Sequence, residues 1–167
     1  MGARAAADIA RVRVASGRWD IPAACARGCT HCCYLRVEIT PAEAALLATA
    51  IPEGDPRRAR VTARAAELST VSGDERLRVR VPCELLGDDG RCTVYDARPL
   101  ACRAASSLDA DACARGLAGG DDSAEIPIEP WSTASMRSAH VGLRRALAGA
   151  GLPSQVEELH EALARLL

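Results

Sequence analysis

Cys25-Ala26-Arg27-Gly28-Cys29-Thr30-His31-Cys32-Cys33 places four of the chain's eight cysteines within nine residues. The spacing is C-x3-C-x2-C-C. Core packing gives no reason for four thiols so close together. Thiolate chemistry does, because thiolates are the ligands that hold zinc and iron–sulfur clusters. Any fold of this chain must therefore converge these side chains. As a helix, Cys25, Cys29, Cys32 and Cys33 stand at i, i+4, i+7 and i+8 on one face. Gly28 favours the other solution, a loop with a tight turn over residues 29 to 33.

Composition narrows what surrounds the cluster. The 167 residues are read as one domain, 1–167, with a sizeable core. Phe is absent, and Trp19, Trp131, Tyr34 and Tyr95 are the only aromatics, so the interior is built from Ala, Leu, Val and Ile. Such side chains bury little area each, which leaves a metal to supply part of the stability. All 21 basic residues are Arg. Without Lys, Schiff-base and P-loop chemistry are excluded. A net charge of −1 gives no reason to expect a polyanion partner, and nucleic acid is not expected. Residues 1 to 17 lack the apolar run of a secretory signal, and no stretch approaches the roughly 18 apolar residues of a membrane span. The expectation is a cytoplasmic protein, where cysteines stay reduced and a dense pattern means metal or redox chemistry rather than disulfides.

Along the chain, residues 3–15 read as a first helix with Ala5, Ile9 and Val12 on its buried stripe, followed by Trp19 and Pro22. Thr40-Pro41-Ala42-Glu43 combines an N-cap, Pro at N1 and a capping box, predicting a helix to about Ala50. Asp55-Pro56 starts a second, to about residue 71. Leu77, Val79 and Val81 alternate with Arg76, Arg78 and Arg80, which predicts a strand with one solvated face. Residues 82–86 and 91–95 flank Gly87-Asp88-Asp89-Gly90 and predict a β-hairpin, with Cys83 and Cys92 on adjacent strands. A short helix near Pro99 carries Cys102, and another over 108–117 carries Cys113. An acidic loop at 119–130 leads to a long helix, 131–148. Ser154-Gln155-Val156-Glu157 predicts a capped last helix with Val156, Leu159, Leu163 and Leu166 on its stripe.

The second cysteine region carries a resemblance. Pro82-Cys83-x-Leu85 and Gly90-Arg91-Cys92-x-Val94-Tyr95-x-x-Arg98-Pro99-x-x-Cys102-Arg103 follow the first cluster in order, and together they resemble the YkgJ-type cysteine-cluster family, the CxxCxxCC zinc- or iron-chelating domain. The resemblance covers roughly residues 25 to 103. The first gap here is x3 rather than x2, which sets Cys25 apart. Relatives include larger flagellin lysine methylases, but this chain has no glycine-rich methyl-donor motif, so methyl transfer is not implied.

The resemblance implies metal binding through Cys25, Cys29, Cys32, Cys33, Cys83, Cys92 and Cys102. Seven thiols exceed the four that one zinc or one cubane cluster takes. One centre with spare thiols, two metals sharing thiolates, or a cluster with redox-active extra thiols all remain open. A single site draws on Cys29, Cys32, Cys33, Cys83, Cys92 and Cys102. Arg98 and Arg103 are candidates for holding the anionic cofactor, with Arg27, Arg36 and Arg91 beside the cysteines as weaker ones. His31 is open between ligand, hydrogen-bond donor and bystander. His140 and His160 read as structural or surface residues, Tyr95 as an ordinary packed aromatic, Asp88-Asp89 as a turn, and Cys113 as outside the site.

The expected fold is mainly α with a small β-hairpin, with a metal centre joining the N-terminal loop to the hairpin region. The function expected is an iron–sulfur or zinc protein whose centre is structural or redox-active. A small iron-dependent oxidoreductase or modifying enzyme with an open metal position is the alternative. A metal chaperone or zinc-responsive interaction module is the third reading.

Overall fold

A computed structural model describes residues 23–26, 28–119 and 126–167. The expected helix over 3–15, Trp19, Pro22, Arg27 and residues 120–125 of the acidic loop lie outside the described residues. The protein is mostly helical, with one two-stranded antiparallel sheet among the described residues. In chain order come a 3-10 turn (His31–Tyr34), β1 (Glu38–Ile39), α1 (Pro41–Thr49), α2 (Pro56–Ser69), α3 (Gly73–Arg78) and a second 3-10 turn (Tyr95–Ala97). They are followed by α4 (Leu100–Ala104), α5 (Ala110–Gly119), α6 (Pro130–Gly149), β2 (Glu157–Glu158) and α7 (Leu159–Ala164). No described helix is long and apolar enough to cross a membrane.

The helix starts follow local chemistry. Thr40 accepts the Glu43 backbone N–H, and Glu43 in turn accepts the Thr40 backbone N–H, so the predicted capping box is formed. Asp55 caps α2, with Pro56 in its first turn. The long helix predicted over 131–148 is α6, and the short one near Pro99 is α4.

Three expectations are corrected. Residues 76–78 close helix α3, and 79–83 are irregular, so the Arg-alternating strand does not exist. Asp74 and Glu75 stand in the first turn of α3 and Arg76 and Arg78 in its last, which complements the helix dipole. Arg76 also reaches Glu161 of α7 at 2.6 Å, so it is not on a solvated face.

The hairpin is reduced to a single bridge, Leu86 to Cys92, around the 87–90 turn. The N–H of Cys83 goes instead to the carbonyl of Cys33 at 2.8 Å, and residues 95–97 curl into a 3-10 turn. The named sheet pairs distant segments, Glu38 with Glu158 and Ile39 with Glu157.

That pairing also displaces the last helix start. Residues 157–158 are held extended, so α7 begins at Leu159, and Glu158 caps it by accepting the N–H groups of His160 and Glu161. The Ser154 capping box does not form; the Ser154 carbonyl takes a hydrogen bond from Arg144. Leu166, expected on the buried stripe, is exposed.

The core lies between α1, α2 and α7, with Leu85 and Val94 packed into it. Ile39, Leu47, Val61 and Leu163 are fully buried, each stabilising the fold by about 1.5–3 kcal/mol. Cys83 and Cys92 pack against the same core. Helix α2 then latches the second cysteine region from outside. Arg64 forks onto Glu84 at 3.0 and 2.7 Å, and Arg57 donates to Thr93 at 2.8 Å. The cysteine loops are thus anchored to the helical core rather than hanging from it.

At the tip of the second loop, Gly90 has φ of +72°. A Cβ there would lie 3.5 Å from the Thr30 methyl and 3.7 Å from the Gly28 carbonyl, an ordinary contact, so the two loops touch here. The cost of substitution is backbone strain rather than a clash. Gly90→Ala is expected to destabilise the protein by about 1–2 kcal/mol in urea unfolding, with Gly90→Asn losing less.

Candidate metal centre

The first cluster forms no helical face. Gly28, with φ of +91°, turns the chain, and His31–Tyr34 make a single 3-10 turn closed by the Cys33 N–H on the Thr30 carbonyl. Cys32 and Cys33 sit in that turn. Cys83 is brought to it by the backbone bond to Cys33. Cys92 arrives through the bridge to Leu86, and Cys102 on α4.

These residues surround one cavity of about 830 Å³. Its wall holds all seven motif cysteines, together with Tyr95, Arg98 and His160. All eight cysteines are free thiols; Cys25 is exposed and the rest are half-buried. Cys25 stands at the margin, its sulfur accepting the Ser107 N–H at 3.2 Å. As they stand, no three His, Cys, Asp or Glu side chains among the described residues are close enough to hold one ion. The thiols line the cavity without forming a ready-made set of ligands.

Electrostatics divides the thiols into two groups. Cys102 is pushed up to about 12 by burial, and its neighbours Cys83, Cys32 and Cys92 push the same way. Burial likewise raises Cys92, with Cys83 adding to it. The hydrogen bond from Cys33 lowers Cys32 to about 6, and Arg98 assists against the opposing effect of burial. The same bond raises Cys33, helped by burial and by Cys83 and Cys102. The shared hydrogen bond thus favours ionisation of Cys32 at the expense of Cys33. Cys32, Cys33, Cys83, Cys92 and Cys102 form this first group. Cys29 is raised by burial, and its charged neighbours are Cys25, Cys32 and Cys113. Cys113, expected to stand apart, is thus beside the first cluster, and Cys32 lies between the two groups.

The arginines play unequal parts. Arg98 lies on the cavity wall, over the Tyr95 ring at 3.6 Å, and favours ionisation of Cys32, Cys92 and Cys102. Arg103 donates to the carbonyls of Arg98 and Asp96, which holds the turn leading into α4. Arg36 pairs with Glu38 at 3.0 Å and Arg91 with Asp89 at 3.5 Å, and both line the cavity. His31 opens the 3-10 turn but is not on the cavity wall.

One residue the sequence reading set aside belongs here. His160 is 6% exposed, lines the cavity, and holds Glu158 through Nδ1 at 2.8 Å. Burial alone would lower its pKa, but hydrogen bonds with Cys83 and Glu158 outweigh this and raise it to about 9. Nothing near His160 in the sequence marks it, because 76 residues separate it from Glu84, whose N–H it meets at 3.4 Å.

The donors fit a thiophilic metal. Several free thiols from three segments face one cavity, and a guanidinium stands ready to offset the negative charge of a thiolate centre. Most of these thiols are raised by burial, so metal binding must release protons.

No curated protein and no solved structure matches the chain. Residues 24–120 match the family described as CxxCxxCC, putative zinc- or iron-chelating domain. That span holds all eight cysteines and more than half of the chain, and the chain belongs to this CxxCxxCC family.

Proposed function

We propose that the protein holds a zinc or iron centre, the iron alone or in an iron–sulfur cluster, with Cys32, Cys33, Cys83, Cys92 and Cys102 as the primary donors. The observation that carries this is the convergence of free thiols from three chain segments on one cavity, these five among the seven that line it. A metal there cross-links the 3-10 turn, the 83–92 loop and α4, which supports a structural role. Cys83 and Cys92 rest on the hydrophobic core, so the cross-link bears on the stability of the whole helical body. Cys25, at the margin, and Cys29 serve as secondary thiols. Arg98 compensates the centre's charge, and Arg103 positions α4 beneath it.

The cavity volume favours a second reading. About 830 Å³ is far more than an ion needs, and Tyr95 and Arg98 on its wall offer an aromatic face and a cation. An iron with an open position and a small bound molecule would fit an oxidoreductase. A chaperone that passes its metal on is less favoured, because the central thiols are half-buried.

Elemental analysis and an absorption spectrum of protein purified without oxygen test the proposal. Iron with sulfide and a broad absorption band identifies a cluster, and turns attention to redox chemistry at the remaining thiols. Stoichiometric zinc in a colourless protein identifies a structural centre. Protein that retains neither metal when purified, and takes up neither when supplied, rejects the proposal.

A further inference from the structure

We infer that His160 is a ligand of the metal centre, its Nε2 joining the cavity thiols while Glu158 holds its Nδ1. This rests on the metal-centre reading above and deepens it. His160 lies outside residues 24–120, so the matched family span does not reach it.

Position comes first. Glu158 is locked by the sheet register with Glu38 and by its cap of α7, where it accepts the N–H groups of His160 and Glu161. The Leu159 N–H donates to the Val37 carbonyl at 2.9 Å, which pins the start of the helix to the strand leading out of the first cluster. His160 therefore reaches the cavity wall from a frame that leaves its backbone little freedom. Glu158 and His160 are only 4% and 6% exposed.

Chemistry follows from that frame. A carboxylate can only accept, so Nδ1 carries the proton in the 2.8 Å bond to Glu158. Metal binding displaces the proton that the raised His160 pKa keeps on Nε2, and the lone pair is then on Nε2. Nε2 faces the Cys83 loop, where its backbone contact is a long 3.4 Å approach from the Glu84 N–H. That contact is weak enough to give up. A ring whose far nitrogen is fixed by a buried carboxylate, and whose near nitrogen faces the Cys83 loop on the cavity wall, has the arrangement of a metal-bound histidine.

Energetics points the same way. Burying a carboxylate–imidazole pair is costly, and the cap of α7 accounts for the carboxylate but not for the imidazole. Coordination by imidazole also adds no negative charge. Three thiolates and one histidine leave a zinc site at about −1 rather than −2. The imidazole thereby reduces the charge left for Arg98 to offset.

The test uses the full-length protein, made metal-free under reducing conditions and titrated with Co²⁺. Visible and near-ultraviolet bands report the ligands, and X-ray absorption at the cobalt edge reports imidazole through its outer-shell scattering. Wild-type protein is expected to show the imidazole signal. His160→Ala should abolish it, while His31→Ala and His140→Ala should retain it. Glu158→Gln should weaken cobalt binding about 10- to 100-fold. His160→Cys should bind tightly again, with a stronger thiolate-to-cobalt band and no imidazole scattering. Cobalt bound by wild-type protein without imidazole scattering, or with scattering that persists in His160→Ala, overturns the inference and leaves His160 as a hydrogen-bonding neighbour of Cys83. That result leaves the metal centre standing. Failure of wild-type protein to bind cobalt removes the centre and this ligand together. If His160→Ala folds poorly, full retention of the wild-type imidazole signal in both His31→Ala and His140→Ala assigns it to His160, and its loss in either overturns the inference.

Discussion

Stripping the metal with a chelator under reducing conditions will lower the thermal midpoint by about 10 °C. A ligand present at about 1,000 times its Kd stabilises the folded state by roughly 4 kcal/mol, and each kcal/mol moves the midpoint of a chain this size by about 2–4 °C. The loss should be uneven. Outside the thiols, the described backbone ties of the first cluster are few, chiefly Cys83 to Cys33 and Ala24 to Ser107. The α1, α2 and α7 body has its own apolar core. Far-ultraviolet circular dichroism should therefore change little at room temperature, while amide exchange in residues 28–35 and 83–105 rises. Returning zinc or iron should restore the midpoint. Equal midpoints for stripped and loaded protein would show that the metal does not favour the folded state, and the structural role would fall.

Glu43→Ala is expected to destabilise the protein by about 3–5 kcal/mol, among the largest effects of any single substitution away from the cysteines. One oxygen of Glu43 accepts both the N–H and the hydroxyl of Thr40 at 2.8 Å, and the other accepts the Leu100 N–H at 2.9 Å. Thr40 is fully buried and Glu43 is 9% exposed, so water cannot readily replace the carboxylate. Truncation leaves three donors unpaired, each costing about 1–3 kcal/mol if it finds no other partner. Glu43→Gln should cost less, because its single oxygen can serve Thr40 while its amide nitrogen opposes the Leu100 N–H. Urea unfolding measures both, with exposed Glu53→Ala as a near-neutral control. Since Leu100 begins the helix that carries Cys102, Glu43→Ala should also weaken metal retention. A loss below about 1 kcal/mol would mean that these donors find other partners.

Glu43 marks the boundary of what the sequence reveals. Its role as a helix cap was legible, because Thr40-Pro41-Ala42-Glu43 is complete within one turn. Its second bond, to Leu100, was not, because Leu100 is 57 positions further along the chain. The same division runs through the protein. Asp55-Pro56 predicted α2 from adjacent atoms alone. The alternation over 76–81 suggested a strand, but a strand requires a partner edge. Local charges at each end of α3 and the reach of Arg76 to Glu161 favoured a helix instead. Ser154 to Glu157 had the letters of a capping box, yet pairing of 157–158 with 38–39 moved the helix start to Leu159.

The sequence by itself determined that thiols would dominate this protein's chemistry. Cysteines at short spacing are brought together by any backbone, and the family motif is written in those same spacings. It also determined the starts of α1 and α2, since a cap needs only three or four neighbouring residues. Tertiary structure alone brought thiols from the first cluster, the 83–92 loop and α4 to the wall of one cavity. It alone carried His160 to the cavity. The physical reason is that covalent spacing governs encounters within a turn or two, whereas contacts between distant segments depend on how the whole core packs.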